Sequence, residues 1–237
     1  MREKSKHLDL KLQLNYDGGV RSYGQHCSLA KALDVVGDRW SLLIIRELIA
    51  RGACRYTDLR EGLPGIATNM LADRLRDLEQ AGIVSREDAP PPVARPLFRL
   101  TPRGEELRGV VRELTRWGLP LIGDSIDGEA FRGHWLAAAA LLLLKDNAPD
   151  AAPVAIEVRA GEEPMLIVTA GGALQARPGP GVNPDAIISG TPRLTMGLLT
   201  GMLDIERAQA LGLEISGDAS AIERIRTPLP LVGAGAS

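Results

Sequence analysis

Asn69, Asp73 and Arg76 are the residues of this sequence whose types and spacing are best suited to reading another molecule. They recur at i, i+4 and i+7, so a helix would place them on one face. Thr68, at the start of that helix, and Ala72 would lie beside them. Amide, carboxylate and guanidinium groups on one slender face can bond to the edges of DNA bases. An ordinary amphipathic helix with a solvated side is the alternative interpretation.

Catalytic and metal-binding chemistry has little support in the residue pattern. Two cysteines, Cys27 and Cys54, and three histidines supply no ligand set for zinc. No nucleophile with a neighbouring base and an orienting group is visible, so we expect a protein without enzyme activity, metal or cofactor. Cys27 precedes a predicted helix, whose N-terminus would lower the pKa of the thiol and favour a redox-sensing thiolate. The alternative is a small packing residue.

Charge is distributed unevenly along the 237 residues. Residues 21–122 carry 16 basic and 13 acidic side chains, a balance of +3, whereas residues 123–237 carry 8 and 14, a balance of −6. The first part therefore suits a phosphate backbone and the second part does not. Aromatic residues make up only 3% of the chain, which argues against a stacking platform for single-stranded nucleic acid.

Targeting and membrane signals are not evident. Residues 1–20 are mixed polar and charged, unlike a signal peptide, and the longest apolar run, 135–144, is too short to span a bilayer. We therefore expect a cytoplasmic protein that does not contact a membrane.

The order of predicted elements in the first half favours nucleic-acid binding. Leu71, Leu75 and Leu78 form the apolar face of a helix over 66–82. Three helices are predicted before it: one over 28–36, one over 39–51 capped by Asp38, and a short third one capped by Thr57 or Asp58. A helix, a Pro-Gly turn and a second helix with a polar face describe a helix-turn-helix.

A hairpin follows the reading helix. Strands at 83–87 and 97–100 flank a proline-rich loop, and the hairpin carries Arg86, Arg95 and Arg99. In a winged helix such a wing lies along the sugar-phosphate backbone. Thr101 and a following proline then predict the start of a long helix over 102–121.

Several spaced motifs carry a family resemblance: CSLAKALDVVGDRWSLLIIREL at 27–48, RYTDL at 55–59, LPGI at 63–66, LRDLEQAGIV at 75–84 and LTPRG at 100–104. Residues 24–122 thereby resemble the HxlR-type branch of MarR-like transcriptional regulators. The resemblance implies a homodimer that binds an inverted repeat of double-stranded DNA. It also implies dimer contacts from the N-terminal segment and the long helix, here Leu29, Leu33, Val110, Leu114, Trp117 and Leu121.

Two residues depart from the family pattern. The family often has proline after the cysteine and serine at the start of the reading helix, where this chain has Ser28 and Ala67. Ala67 lacks the hydroxyl that would cap the helix, so we expect the helix start to be capped by another residue or less well.

The residue pattern of the second half predicts both strands and helices. Strands are predicted at 154–159, 165–169, 173–177, 186–190 and 213–216, and helices at 128–145, 191–202, 204–211 and 219–225. The segments IISGTPRLTMGLLTG at 187–201 and LGLEISGDASAIERI at 211–225 resemble the sterol carrier protein type-2-like domain. That resemblance implies an apolar cavity for a lipid-like ligand, and a solid core is the alternative.

These observations define our predicted organisation and function. The fold class is mainly α with α+β: an N-terminal winged helix-turn-helix and a small α+β domain with a mostly antiparallel sheet. We divide the chain into an N-terminal arm (1–23), a DNA-binding and dimerisation domain (24–122), a sterol carrier-like domain (123–230) and a mobile tail (231–237). The predicted function is a homodimeric repressor modulated by an apolar small molecule. The alternatives are a lipid- or acyl-binding carrier whose helical half serves dimerisation, and a thiol-based redox sensor through Cys27.

Overall fold

In a computed structural model of the chain, residues 22–88, 95–122 and 129–228 are described. Most of the predicted arm, the proline-rich tip of the wing and the predicted tail lie outside these ranges. In the first part the elements are α1 (Ser28–Val36), α2 (Ser41–Arg51), β1 (Cys54–Arg55), α3 (Tyr56–Glu61), α4 (Thr68–Gln80), β2 (Val84–Asp88), β3 (Pro96–Leu100), α5 (Pro102–Glu105), α6 (Arg108–Gly118) and a 3-10 turn (Leu119–Leu121). In the second part they are α7 (Gly133–Leu143), β4 (Ala155–Arg159), β5 (Met165–Ala170), β6 (Ala173–Pro178), β7 (Ala186–Ser189), α8 (Pro192–Leu199), α9 (Ile205–Ala210), β8 (Glu214–Gly217) and α10 (Ala219–Ile225).

The predicted fold class is confirmed. The first part is a winged helix-turn-helix, in which β1, β3 and β2 form an antiparallel sheet in that order. The second part is an α+β unit with a five-stranded sheet in the order β6-β5-β4-β7-β8. Its strands pair antiparallel except β4 and β7, which are parallel. The sheet is therefore mostly antiparallel, as predicted.

The short strand β1 was not predicted, and it changes the start of α3. Cys54 pairs with Phe98 and Arg55 with Leu97, which adds a third strand to the wing. Helix α3 then begins at Tyr56 rather than after Thr57 or Asp58. Asp58 lies within the first turn and its carboxylate accepts a hydrogen bond from the backbone N–H of Arg55 at 2.8 Å. A two-residue strand is too short to leave a periodic signal in the sequence.

Asp38 does not cap α2 as predicted. Helix α2 begins at Ser41, with Trp40 as the preceding cap residue and no side-chain hydrogen bond at that end. The Asp38 carboxylate instead accepts from the guanidinium of Arg74 on α4. The prediction was wrong because a remote arginine reaches the carboxylate in the folded chain.

The predicted long helix over 102–121 is interrupted. Thr101 caps α5 as expected, since its hydroxyl accepts from the N–H of Gly104 at 3.1 Å. The N–H of Leu107 then bonds to the carbonyl of Gly104, a tighter turn than an α-helix makes, and α6 starts at Arg108. Gly104 packs against the carbonyl of Ile83 so closely that a Cβ would overlap it. This close approach fixes α5 against the start of the wing.

Side chains cap three helices of the second part. Thr191, Asp204 and Asp218 each accept a hydrogen bond from a backbone N–H in the first turn of α8, α9 and α10. Helix α7 begins at Gly133, five residues later than predicted at 128, and residues 123–128 lie outside the described ranges.

Helix α7 connects the two parts. It packs against α2 and α6 on one side and against β5 and β6 on the other. The buried apolar residues accordingly form one continuous cluster across the predicted boundary at 122. No helix within the described ranges combines the length and the apolar composition required to cross a membrane.

Candidate nucleic-acid interface

The helix α4 is held by its apolar face and by its first turn. Leu71, Leu75 and Leu78 are buried, as their spacing predicts. The hydroxyl of Tyr56 donates to the carbonyl of Thr68 at 2.6 Å, which ties the start of α4 to α3. Together with the contact of Arg74 to Asp38, these interactions position α4 while leaving its opposite face free.

The predicted reading face of α4 points to solvent. Thr68, Asn69 and Arg76 are exposed, and Ala72 is half-buried beside them. Asp73 is not isolated among these groups, because its Oδ1 accepts from Nη1 of Arg76 at 3.0 Å. A carboxylate near phosphates would otherwise be repelled, so this pairing makes Asp73 a brace for Arg76. All five predicted residues therefore share one surface.

The N-terminal turn of α4 has no capping side chain, which is one of the two outcomes that Ala67 left open. Ala67 occupies the cap position in an extended conformation and forms no side-chain hydrogen bond. The first backbone N–H groups of a helix carry partial positive charge and suit an anion. At this position they face solvent next to the exposed side chain of Asn69.

Two of the three wing arginines lie on opposite faces of the hairpin. Arg86 pairs with Phe98 in the register, whereas Arg99 pairs with Ser85, so Arg86 and Arg99 project from opposite sides of the hairpin. Nη2 of Arg99 lies 3.0 Å from Oε2 of Glu87 across the strands. Arg95 is exposed at the edge of the described residues. Arg99 is therefore paired with a carboxylate, and Arg86 lies on the opposite side of the hairpin from it.

Cys27 and Cys54 occupy opposite environments. Cys27 is exposed immediately before α1, where the nearby backbone N–H groups of Ala30 and Leu29 lower the pKa of its thiol. Cys54 is buried in β1, and burial raises the pKa of its thiol to about 12. The physical condition for a reactive Cys27 is therefore present, whereas Cys54 is an inert packing residue.

The residues predicted for dimerisation are apolar and exposed in the single chain. Leu29 and Leu33 lie on α1, and the remaining four lie on α6 and the 3-10 turn that follows it. Their exposed fractions are 66% for Leu29, 39% for Leu33, 46% for Val110, 48% for Leu114, 63% for Trp117 and 69% for Leu121. Side chains of this size and exposure mark a surface that is suited to another protein.

Glu47 is a feature of the helix-turn-helix that the sequence analysis missed. Its side chain is fully buried on α2, with 0% exposure. Oε1 accepts from Nη2 of Arg46 at 2.7 Å and from Nε1 of Trp135 at 2.8 Å, while Oε2 lies 2.7 Å from Nε2 of His134. The available signal was a glutamate among the apolar residues of the predicted helix over 39–51.

This Glu47 network joins three elements. Nη2 of Arg51 lies 2.9 Å from Nδ1 of His134. An arginine can only donate, so Nδ1 of His134 is the acceptor, and Nε2–H of His134 donates to Glu47. The guanidinium of Arg46 lies 4.4 Å from the centre of the Trp135 ring and also donates to the carbonyl of Gly62 at 3.3 Å. Gly62 ends α3, so the network spans from α7 to the turn before α4.

These elements define a class of protein. The first part contains a helix and turn, a second helix with a free polar face, and a hairpin that carries arginines. Together these elements form a winged helix-turn-helix of the DNA-binding type.

Comparisons with known proteins supply the family. The model of the HxlR-like helix-turn-helix family matches residues 35–124. The HTH-type transcriptional regulator YvaP of Bacillus subtilis (strain 168) is 32% identical over 95 residues, which are 40% of this chain and 87% of YvaP. The HTH-type transcriptional regulator YodB of the same organism is 36% identical over 89 residues, 38% of this chain and 79% of YodB. The chain belongs to the HxlR-like helix-turn-helix family.

A solved structure is also similar to part of the chain. A transcriptional regulator of the MarR family from Porphyromonas gingivalis W83 shares 31% sequence identity and aligns with a TM-score of 0.39, covering 41% of this chain and 95% of that one. The two Bacillus subtilis relatives are named as transcriptional regulators, and their names indicate no catalytic activity.

Proposed function

We propose that this DNA-binding regulator is a repressor that binds an inverted-repeat operator in the cytoplasm as a homodimer. The observation that carries the proposal is the exposed face of α4, where Asn69, Asp73 and Arg76 share one surface. Asn69 is suited to bidentate contact with adenine, and Arg76 is suited to guanine or a phosphate. Thr68 and Ala72 complete the surface with a hydroxyl and a methyl contact.

Phosphate contacts supply the remaining affinity. The uncapped start of α4 and the wing residues Arg95, Arg86 and Arg99 are the donors that we assign to the backbone. Because Arg86 and Arg99 project from opposite sides of the hairpin, we expect Arg95 and one of these two to contact DNA. Arg99 would have to exchange Glu87 for a phosphate.

Homodimerisation would use the apolar residues of α1 and α6. A helix-turn-helix dimer reads two half-sites about one helical turn apart, which requires a second copy. Leu114 and Trp117 are large, apolar and about half exposed or more, so a second copy that covers them would remove unfavourable apolar surface from water.

Residues 123–230 would form the regulatory unit of this protein. We assign to them a sterol carrier-like fold that binds an apolar small molecule and thereby changes DNA affinity. Support comes from the five-stranded sheet and from the packing of α7 on α2 and α6, which gives the unit mechanical contact with the DNA-binding part.

DNase footprinting on the region upstream of the gene tests the proposal. We expect one protected, nearly palindromic site, and the Arg76→Ala variant should lose it at protein concentrations where the wild type protects. Binding that depends on salt but protects no defined site would reject sequence-specific regulation. A lipid- or acyl-binding carrier would then be the better description.

Thiol-based sensing through Cys27 is a second candidate. It is favoured by one observation, the exposed thiol whose pKa is lowered by two backbone N–H groups. The expectation is that a thiol oxidant lowers operator affinity of the wild type and leaves Cys27→Ser unaffected. Equal responses of the two proteins would exclude this role.

A further inference from the structure

A cleft of about 710 Å³ lies where the winged helix meets the α+β unit. Arg51, at the end of α2, and Glu61, at the end of α3, contribute to one wall. The other lining residues come from 129–178, including the first turn of α7 and the turn between β4 and β5. Its volume suits a small organic ligand, and boundaries between structural units are common places for such sites.

The lining of the cleft combines apolar side chains with acidic ones. The apolar lining includes Ala137, Ala160 and Met165, which are buried, and Phe131, which is half-buried. Four exposed carboxylates line the rim, and within the described ranges none of them is in ion-pair contact with a cation. They are Glu61, Glu129, Glu162 and Glu163.

Basic groups at the cleft are fewer and are already engaged. Arg51 lies 3.6 Å from Glu47 and 2.9 Å from His134. Arg132 donates to the carbonyl of Phe131 at 3.0 Å. With four carboxylates and two guanidinium groups, the lining carries a net negative charge, which favours a cation over an anion.

The cleft also contacts the network that reaches the turn before α4. Its wall includes Arg51 and His134, which both bond to Glu47, and Arg46 connects Glu47 to the carbonyl of Gly62. A ligand that displaces Arg51 or His134 would therefore alter the packing beneath the helix-turn-helix. Such a ligand changes DNA affinity only if it binds more tightly to one arrangement of the Glu47 network than to another.

We propose that this cleft is the effector site of the protein and that the effector, whose body is apolar, also carries a cationic group. The apolar body would pack against Phe131 and the apolar lining next to it, and the cationic group would face Glu162 and Glu163. An organic cation is weakly hydrated, so its transfer from water costs less than that of a compact ammonium group. The effector role, though not the binding site, rests on the regulatory function proposed above.

Isothermal titration calorimetry on the full chain without DNA tests the site. Tetraphenylphosphonium and tetraphenylborate have the same shape and opposite charge, so they separate charge recognition from apolar binding. We expect one tetraphenylphosphonium per protomer and binding of tetraphenylborate at least about tenfold weaker, since four carboxylates would repel it. Equal or tighter binding of tetraphenylborate overturns the proposal.

Charge-reversal variants locate the binding. Glu162→Lys with Glu163→Lys should weaken tetraphenylphosphonium binding by about two- to fivefold for each exposed carboxylate that is reversed. The matched control, Glu206→Lys with Glu214→Lys, reverses two exposed carboxylates outside the cleft and should leave the affinity unchanged. All four positions are exposed, so the variants should fold, which circular dichroism verifies. Equal effects of the two double variants would place binding elsewhere and overturn the proposal.

Fluorescence anisotropy with labelled upstream DNA tests the effector role separately. Tetraphenylphosphonium should change the operator affinity of the wild type by at least about threefold and should leave the Glu162→Lys/Glu163→Lys variant unaffected. If the cation binds in the cleft but leaves operator affinity unchanged, the effector role is rejected. If the protein protects no operator at all, the regulatory function fails, and calorimetry still decides the site.

Discussion

The Oε2 atom of Glu47 and the Nε2 atom of His134 lie 2.7 Å apart, although 87 residues separate them in the chain. The side chain of Glu47 is 0% exposed and that of His134 is 8% exposed. The contact fixes the first helix of the α+β unit directly on the helix that supports the helix-turn-helix. In this chain the C-terminal part is therefore packed on the DNA-binding part through a buried polar network rather than attached by a free linker.

Loss of this contact should destabilise the protein. Glu47→Ala should lower the free energy of unfolding by about 3–5 kcal/mol, because it leaves buried donors of Arg46 and Trp135 without their acceptor. His134→Ala removes one donor from a carboxylate that keeps others, so we expect about 1–3 kcal/mol. Urea denaturation followed by circular dichroism measures both, and Glu206→Ala on the exposed side of α9 is the control. If the unfolding free energies of Glu47→Ala and His134→Ala lie within about 0.5 kcal/mol of the wild-type value, the contact has no structural role.

The α4 and wing arginines should differ in what they contribute to DNA binding. Arg76→Ala should weaken binding to the operator by about 1–3 kcal/mol and relax specificity, because a base contact is lost. Arg95→Ala should weaken binding to all sequences alike and reduce the slope of affinity against salt by about 1, because a phosphate contact is lost. Fluorescence anisotropy with operator and scrambled DNA at several salt concentrations distinguishes the two. The assignment fails if both variants behave as the wild type.

A charge in the predicted dimer face should separate the protomers. Trp117→Glu places a carboxylate in an apolar interface, where its desolvation is unfavourable, so the dimer dissociation constant should rise at least about tenfold. Light scattering coupled to size-exclusion chromatography over a dilution series measures the change. Val182→Glu is the matched control, since Val182 is 90% exposed and lies outside this face. A monomeric wild type, or equal effects of the two substitutions, would contradict the predicted interface.

The two thiols should differ sharply in reactivity. The backbone N–H groups of Ala30 and Leu29 lower the pKa of Cys27, so its thiolate fraction persists to lower pH than that of an ordinary thiol. Burial raises the pKa of Cys54 to about 12, so Cys54 stays protonated at neutral pH. Alkylation with iodoacetamide at pH 7, read by mass spectrometry, should modify one site quickly. Cys27→Ser should abolish the fast reaction, and labelling of Cys54 at a similar rate would refute the assignment.

An ion pair inside the α+β unit should make its stability dependent on acid. Nε and Nη2 of Arg224 donate to the two carboxylate oxygens of Asp146 at 2.7 and 2.9 Å, and these hydrogen bonds lower the pKa of Asp146 below its ordinary value of 3.8. A depressed carboxyl pKa stabilises the folded state above the unfolded value, and this contribution is lost as pH falls through the folded value. The stability gap between the wild type and Asp146→Asn should therefore narrow below about pH 4. Urea midpoints from pH 7 to 3 measure the gap, and a constant gap would contradict the prediction.

Local features of this fold followed from the sequence alone. The spacing of Leu71, Leu75 and Leu78 determines which face of α4 is buried, because one helical repeat is enough to specify it. Caps such as Thr101 and Asp204 accept from N–H groups three residues away, so both hydrogen-bond partners lie in one short segment of the sequence. The exposed reading surface on α4 follows from the same periodicity.

Only the tertiary structure decided interactions between distant segments. Asp38 could have capped α2, but Arg74 reaches it after α4 packs, and no local pattern encodes that choice. The register of the wing places Arg86 and Arg99 on opposite faces, which depends on how two strands pair across a loop. The buried carboxylate of Glu47 is stabilised by hydrogen bonds with His134 and Trp135, which belong to the second part of the chain. A buried carboxylate requires such donors, and their identity is determined by packing rather than by sequence distance.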